Sequence, residues 1–86
     1  MVYYVYVIYS MERGLRFYVG ITNNLERRLL EHNTGKTKST KGYKPWLLLF
    51  SETYPSRMEA RLREKYLKGG SGKEYIKKIW SGSSAG

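Results

Sequence analysis

The chain has 86 residues, and its 16 lysines and arginines outnumber 7 acidic residues to give a formal net charge of +9. This length leaves room for one domain, and the absence of cysteine excludes disulfides, thiolate catalysis and cysteine-ligated metal sites. A single histidine and the lack of any aspartate exclude multi-histidine zinc sites and paired-aspartate metal sites.

The excess of positive charge favours a polyanionic partner. Nucleic acid is favoured over an anionic membrane surface, because no lysine-rich amphipathic helix with a bulky apolar face stands out. No apolar run approaches the roughly 18 residues of a membrane span, and none fits a cleavable signal peptide. We therefore expect a nucleic-acid partner, no membrane partner and a cytoplasmic location.

The first elements predict an antiparallel β-hairpin. Val2 to Tyr9 is β-branched or aromatic at every position, which is typical of a central strand that is covered on both faces. A polar stretch with Gly14 separates it from a second β-rich run over residues 17–22. Inside that run, Gly20 indicates a close approach of a backbone or a ligand. A functional role would add to this, because the missing side chain would leave room for a substrate beside Tyr18.

A short helix follows the hairpin. Asn23 and Glu26, three residues apart, resemble an N-cap pair, and Asn33-Thr34-Gly35 is a typical stop, so we expect a helix over residues 24–32. The polar, basic stretch over residues 36–44 has no periodicity and predicts an exposed loop.

The second half predicts a strand and two helices. Residues 46–54 read as a third strand after a proline, and Ser56 with Glu59 predicts the capped start of a helix over 57–68. Four small residues, 69–72, close that helix, and a short last helix over 73–80 precedes a flexible tail over 81–86.

The predicted fold class is therefore α/β, of the α+β kind, in one domain over residues 1–80. A small mixed three-stranded sheet is built from the hairpin and the third strand, and helices flank it in the order β-β-α-β-α-α. Fold class alone names no function.

The first helix has two unequal arginines. On a helical wheel Arg28 and His32 flank the apolar stripe and point toward the hairpin, whereas Arg27 lies on the far side, one turn from Glu31. This layout favours an anion site. It is also typical of an arginine that covers core residues and of a satisfied histidine at a helix end.

Five features recur in a characteristic order and spacing. They are Tyr6 in Tyr-Val-Tyr, Tyr18 in Tyr-Val-Gly, Arg28, His32 and a glutamate on the next long helix, Glu64. Together they resemble the GIY-YIG nuclease superfamily over most of the chain. The segments 22–28, 31–33, 44–46 and 59–64 are similar to those of small stand-alone UPF0213 (YhbQ-type) proteins.

The resemblance implies a metal-dependent endonuclease that hydrolyses phosphodiester bonds with one Mg²⁺ or Mn²⁺ ion. It implies that Tyr6 and Tyr18 position or deprotonate the attacking water, that Arg28 stabilises the phosphate, that His32 assists proton transfer and that Glu64 holds the metal. Which tyrosine acts as the base stays open. The expected substrate is DNA of branched or nicked structure, as in repair or recombination, and RNA is not excluded.

The glutamate assigned to the metal has a second interpretation. Ala60, Glu64 and Leu67 form an i, i+4, i+7 stripe that turns the carboxylate inward. The same glutamate is placed to pair with Lys68 or Arg61 on a solvated face.

Further positive charges are candidates for contact with nucleic acid. They are Lys36, Lys38, Lys41 and Lys44 in the basic loop, with Arg61 on the second helix. A merely solvated loop is the alternative reading.

Three departures from the family pattern stand out. No asparagine follows Asn33, the first motif reads Tyr-Val-Tyr, and Ile21-Thr22 replaces a basic residue that often follows the glycine. Two other functions compete with a nuclease: a non-catalytic nucleic-acid-binding module of the same fold, and a nuclease subunit that needs a partner.

Overall fold

A computed structural model of the chain describes residues 1–82. Its elements follow the predicted order: β1 (Tyr3–Ser10), β2 (Arg16–Thr22), α1 (Leu25–Asn33), β3 (Leu47–Tyr54), α2 (Arg57–Lys68) and α3 (Gly70–Trp80). Residues 83–86 of the tail predicted over 81–86 lie outside the described part of the chain. None of the helices within residues 1–82 is long and apolar enough to cross a membrane.

The first strand lies at the centre of the sheet, as its composition predicts. The strand order is β2-β1-β3, and both neighbours pair with β1 in antiparallel register. Because side chains alternate along a strand, Val5 and Val7 pack in one core with residues of α2 and α3. Tyr6 and Ile8 pack on the other face in a second cluster, with residues of α1.

The first helix begins one residue later than predicted. The side chain of Asn24 accepts the backbone N–H of Arg27, so Asn24 is the N-cap and Asn23 is not. Two successive asparagines are equally good N-cap residues by type. The observed cap leaves Leu25 and Leu29 packed against the cluster that contains Tyr6.

The second helix has its predicted bounds, but the third begins at Gly70 rather than at residue 73. Ser56 accepts the N–H of Glu59 and caps α2 as expected. The first turn of α3 packs closely against the end of α2, where a Cβ on Gly72 would clash with the backbone of Leu67. Glycine here lets α3 fold back tightly onto the end of α2.

Candidate active site

The side chain of Tyr6 lies at the centre of the candidate site. It is fully buried, and Gly20 is its direct partner across the β1–β2 pair. A Cβ on Gly20 would lie 2.5 Å from the Tyr6 hydroxyl oxygen. The phenol of Tyr6 therefore occupies the space that the missing side chain of Gly20 leaves. The sequence pattern predicted a close approach of a backbone or a ligand here, whereas the structure shows a side chain.

A chain of hydrogen bonds leads from Tyr6 through His32 to Thr40. The Tyr6 hydroxyl lies 2.8 Å from His32 Nε2, and His32 Nδ1 lies 2.8 Å from Thr40 Oγ1. Thr40 Oγ1 donates its proton to the carbonyl of Thr37 at 3.3 Å, so it accepts from His32 Nδ1–H. Nε2 then carries the lone pair and accepts the proton of Tyr6.

The position of Thr40 is set by the segment between α1 and β3. Trp46, which is buried, donates its indole N–H to the Thr40 carbonyl at 2.9 Å. Asn33 at the end of α1 accepts the backbone N–H of Trp46 and donates to its carbonyl. The predicted loop thus contains a fully buried threonine and a short 3-10 helix over Lys41–Tyr43.

The helical phase predicted for α1 is confirmed. Arg28 Nε donates to the Tyr6 hydroxyl at 3.3 Å, whereas Arg27 is exposed. Glu31 divides its charge between the two arginines: it lies 3.8 Å from Arg27 and 2.9 Å from Arg28. The shorter ion pair orients Arg28 toward the tyrosine.

Burial and the Arg28 charge set the protonation states of this group. Burial raises the pKa of Tyr6 to about 12, although the hydrogen bond from Arg28 acts in the opposite direction. Burial, with the nearby charge of Arg28, lowers the pKa of His32 to about 4. At neutral pH the site therefore holds a protonated phenol against a neutral imidazole.

A polar cleft of about 300 Å³ opens beside this group. Tyr6, Tyr18, Gly20, Ile21 and Arg28 line one wall, and α2 supplies Arg57, Arg61, Glu64 and Lys68. Besides Gly20, the cleft brings together five predicted site residues: Tyr6, Tyr18, Arg28, Arg61 and Glu64. The predicted site residue His32 does not line the cleft and contacts it only through its hydrogen bond to Tyr6. Sequence reasoning missed Arg57 and Lys68 as cleft residues, although both carry a charge and lie one helical turn from a predicted one.

The carboxylate of Glu64 has an unusual electrostatic setting. Its side chain is 17% exposed, so the carboxylate is turned inward as the stripe predicts, and Lys68 Nζ lies 3.1 Å from Glu64 Oε2. Among residues 1–82 it is the one acidic side chain that lines the cleft, beside four cationic residues: Arg28, Arg57, Arg61 and Lys68.

The cleft residues, with Glu64 as their carboxylate, fit one divalent ion only if a phosphate binds in the cleft as well. Residues 1–82 contain no cluster of three or more histidine or carboxylate groups that could hold a metal. Mg²⁺ commonly takes one carboxylate and completes its shell with water and substrate phosphate. Glu64 fits that pattern. The surrounding cationic side chains attract a phosphate and repel a free metal ion, so a bound phosphate would help the cleft to hold the metal.

The four predicted loop lysines lie outside the cleft. Their side chains are exposed on the segment between α1 and β3, at Lys36, Lys38, Lys41 and Lys44. None of the four lines the cleft, whereas Arg61 does. Any contact between these lysines and a nucleic acid therefore lies away from the cleft.

The chain is similar to a known catalytic domain and to several proteins of one kind. Residues 2–78 match the GIY-YIG catalytic domain. The chain is 37% identical over 78 residues to a UPF0213 protein of Staphylococcus haemolyticus, covering 90% of this chain and 93% of the relative. It is 41% identical over 66 residues to a UPF0213 protein of Clostridium perfringens, covering 76% and 69%.

A solved structure shows the same fold. The solution NMR structure of a UPF0213 protein from Bacillus halodurans aligns with a TM-score of 0.53 and 32% sequence identity. The alignment covers 92% of this chain and 85% of the other. The resemblance seen in the sequence motifs is thereby confirmed.

Proposed function

Because the chain belongs to the GIY-YIG family, we propose that it is an endonuclease that hydrolyses DNA with the help of one divalent ion, Mg²⁺ or Mn²⁺. Nuclease activity and a nucleic-acid substrate follow from the catalytic domain of the family. The preference for DNA, the metal dependence, a preference for branched or nicked structures and a role in repair are our proposal. A domain of this size has little surface for extensive base readout, which favours recognition of structure over sequence.

The proposal rests chiefly on the two hydrogen bonds at the Tyr6 hydroxyl. The oxygen accepts from Arg28 Nε at 3.3 Å and donates to His32 Nε2 at 2.8 Å. Within residues 1–82 Arg28 is the one donor to that oxygen, so its second lone pair can accept a hydrogen bond from a water that enters with the substrate. A water beside it can pass a proton to Tyr6 as Tyr6 passes its own to His32.

The pKa values explain why this transfer requires the substrate. A phenol whose pKa is about 12 is not ionised at neutral pH, and an imidazole whose pKa is about 4 accepts a proton poorly. A phosphate in the cleft brings negative charge close to both, which favours the imidazolium form of His32. The relay is thereby coupled to the presence of the scissile group.

The remaining cleft residues act on the phosphate. Arg28 is held by Glu31 and Tyr6, so its guanidinium is oriented before substrate binds and can stabilise charge that develops on the phosphate. Glu64 is the side chain that would hold the divalent ion. Such an ion supplies positive charge beside the phosphate and lowers the pKa of a bound water.

One observation favours a second function, a nucleic-acid-binding module without efficient cleavage. Glu64 is paired with Lys68 at 3.1 Å, and the cations around it can hold a phosphate with no metal present. Such a protein would keep the salt-dependent binding of a basic surface. It would not respond to a divalent ion.

A cleavage panel separates the two functions. Single-stranded, duplex, flap and junction DNA, with matched RNA, are incubated with Mg²⁺, with Mn²⁺ or with a chelator. The proposal predicts divalent-dependent nicks, strongest on the flap or junction DNA. If the protein binds these nucleic acids but makes no nicks under any condition, the nuclease proposal is wrong and the nucleic-acid-binding module is supported.

A further inference from the structure

A second cavity lies next to the polar cleft, between β2 and the helices α2 and α3. Its volume is about 340 Å³, at the lower end of the range typical of small-molecule sites, about 300–1,000 Å³. We call it the β2 groove, and its apolar lining consists of Phe17, Tyr18, Val19, Leu67 and Ile76.

Within the described part of the chain, the charged residues of the β2 groove are all cationic. Lys68, Lys73 and Lys77 line it together with the apolar residues, and no carboxylate of residues 1–82 does. An apolar floor with a rim of ammonium groups suits a ligand that has a flat apolar body and an anionic backbone. A nucleotide has that combination, because its base has two apolar faces and its phosphates carry negative charge.

The β2 groove adjoins the polar cleft. Tyr18 and Lys68 line both cavities. The packing of Gly72 against Leu67 sets this arrangement, because it brings the start of α3 against the end of α2. A strand whose phosphate occupies the cleft therefore has its neighbouring nucleotide beside the groove.

On this basis, and resting on the proposed function, we propose that the β2 groove binds one unpaired base of the DNA substrate, next to the phosphate that is cut. A base can enter only after it leaves the helical stack, which costs least where the nucleotide is already unpaired. The groove thus gives the protein a structural reason to prefer bulges, flaps and single-strand junctions. The lysine rim holds the flanking phosphates.

The test compares two bulged duplexes in the presence of a chelator, so that binding is measured without cleavage. One carries a single bulged 2-aminopurine and the other an abasic bulge with the same phosphates. We expect the base-containing duplex to bind about tenfold more tightly, with a change in 2-aminopurine fluorescence. Equal affinity for the two duplexes would overturn the proposal while leaving divalent-dependent cleavage intact.

Two pairs of variants locate the contact. Phe17→Ala removes one wall of the groove and should abolish the preference for the base, whereas Phe50→Ala should retain it. Phe50 is a matched control because both side chains are partly buried against the same core and lie on opposite edge strands. If Phe17→Ala prefers the base-containing duplex over the abasic duplex as strongly as Phe50→Ala does, the proposal is contradicted.

If Phe17→Ala does not fold, charge reversal provides the same test. Lys73→Glu should weaken binding of the bulged base, and the exposed Lys65, which does not line the groove, should tolerate Lys65→Glu. Equal effects of the two reversals would overturn the proposal. So would a parent protein that sediments as a dimer and becomes monomeric with Lys73→Glu, because a second copy would then occupy the groove.

Discussion

Gly20 and Tyr6 face each other across the β1–β2 pair so closely that a Cβ at position 20 would lie 2.5 Å from the Tyr6 hydroxyl oxygen. The contact makes Gly20 a requirement for the position of the hydroxyl, which in turn contacts both Arg28 and His32. A single methyl group at position 20 therefore acts on the proposed chemistry without removing any reactive group.

The first prediction concerns that methyl group. Gly20→Ala should push the phenol away from His32 and lower the cleavage rate about 100-fold, since a misplacement of about 1 Å can have that effect. Single-turnover cleavage measures it. Gly42→Ala is the control, because a Cβ at Gly42 meets no atom of residues 1–82 within 4 Å. Comparable rates in the two variants would contradict the assigned role of the contact.

The two adjacent arginines of α1 should behave differently. Arg28→Ala removes the guanidinium beside Tyr6 and should slow cleavage about 100- to 1,000-fold, with a modest loss of DNA affinity. Arg27→Ala removes an exposed side chain 3.8 Å from Glu31 and should stay within about twofold of the parent. Rates and dissociation constants are measured side by side, and equal losses in both variants would show that the site is misassigned.

Thr40 should act as a positioning residue for His32. Thr40→Val keeps the volume of the buried side chain but leaves His32 Nδ1–H without its acceptor at 2.8 Å. We expect kcat to fall at least about tenfold, the equivalent of about 1.4 kcal/mol, with KM little changed. Thr40→Ser restores the hydroxyl and should restore kcat, and a serine variant no better than valine would indicate a packing role only.

The depressed pKa of His32 predicts a pH-dependent stability. Burial holds the folded pKa near 4, below the ordinary value of 6.5, so the unfolded chain binds the additional proton. The stabilisation is present above pH 6.5 and is lost as pH falls toward 4, with a slope of up to about 1.4 kcal/mol per pH unit. Urea unfolding at a series of pH values should show a shallower slope for His32→Gln, and identical slopes would refute the assignment.

Much of this site was predictable because the information is local. The periodicity of α1 alone separates Arg28 from Arg27, and an uninterrupted run of β-branched and aromatic residues places Tyr6 in the central strand. The stripe of Ala60, Glu64 and Leu67 likewise turns the carboxylate inward, and the structure shows Ala60 and Leu67 fully buried.

Other features depend on contacts that no local pattern encodes. Thr40 lies in a polar, aperiodic segment, and only the fold brings it to His32. Gly72 resembles a helix-ending residue until its contact with Leu67 is seen. Sequence reasoning also could not foresee that Glu31 would form its shorter ion pair with Arg28, because both arginines lie within reach of one carboxylate on a helix.

The most direct test of the proposed metal-dependent nuclease is single-turnover cleavage of flap DNA by Glu64→Gln and Glu59→Gln in Mg²⁺. Glu64→Gln removes the acidic group of the cleft and should abolish cleavage while DNA binding holds or tightens, since a charge that repels phosphate is gone. Glu59 lies at the cap of α2, where Ser56 donates to its carboxylate at 3.1 Å, so Glu59→Gln should cost at most about 1 kcal/mol of stability and cleave like the parent. Cleavage at the parent rate by Glu64→Gln would contradict the account.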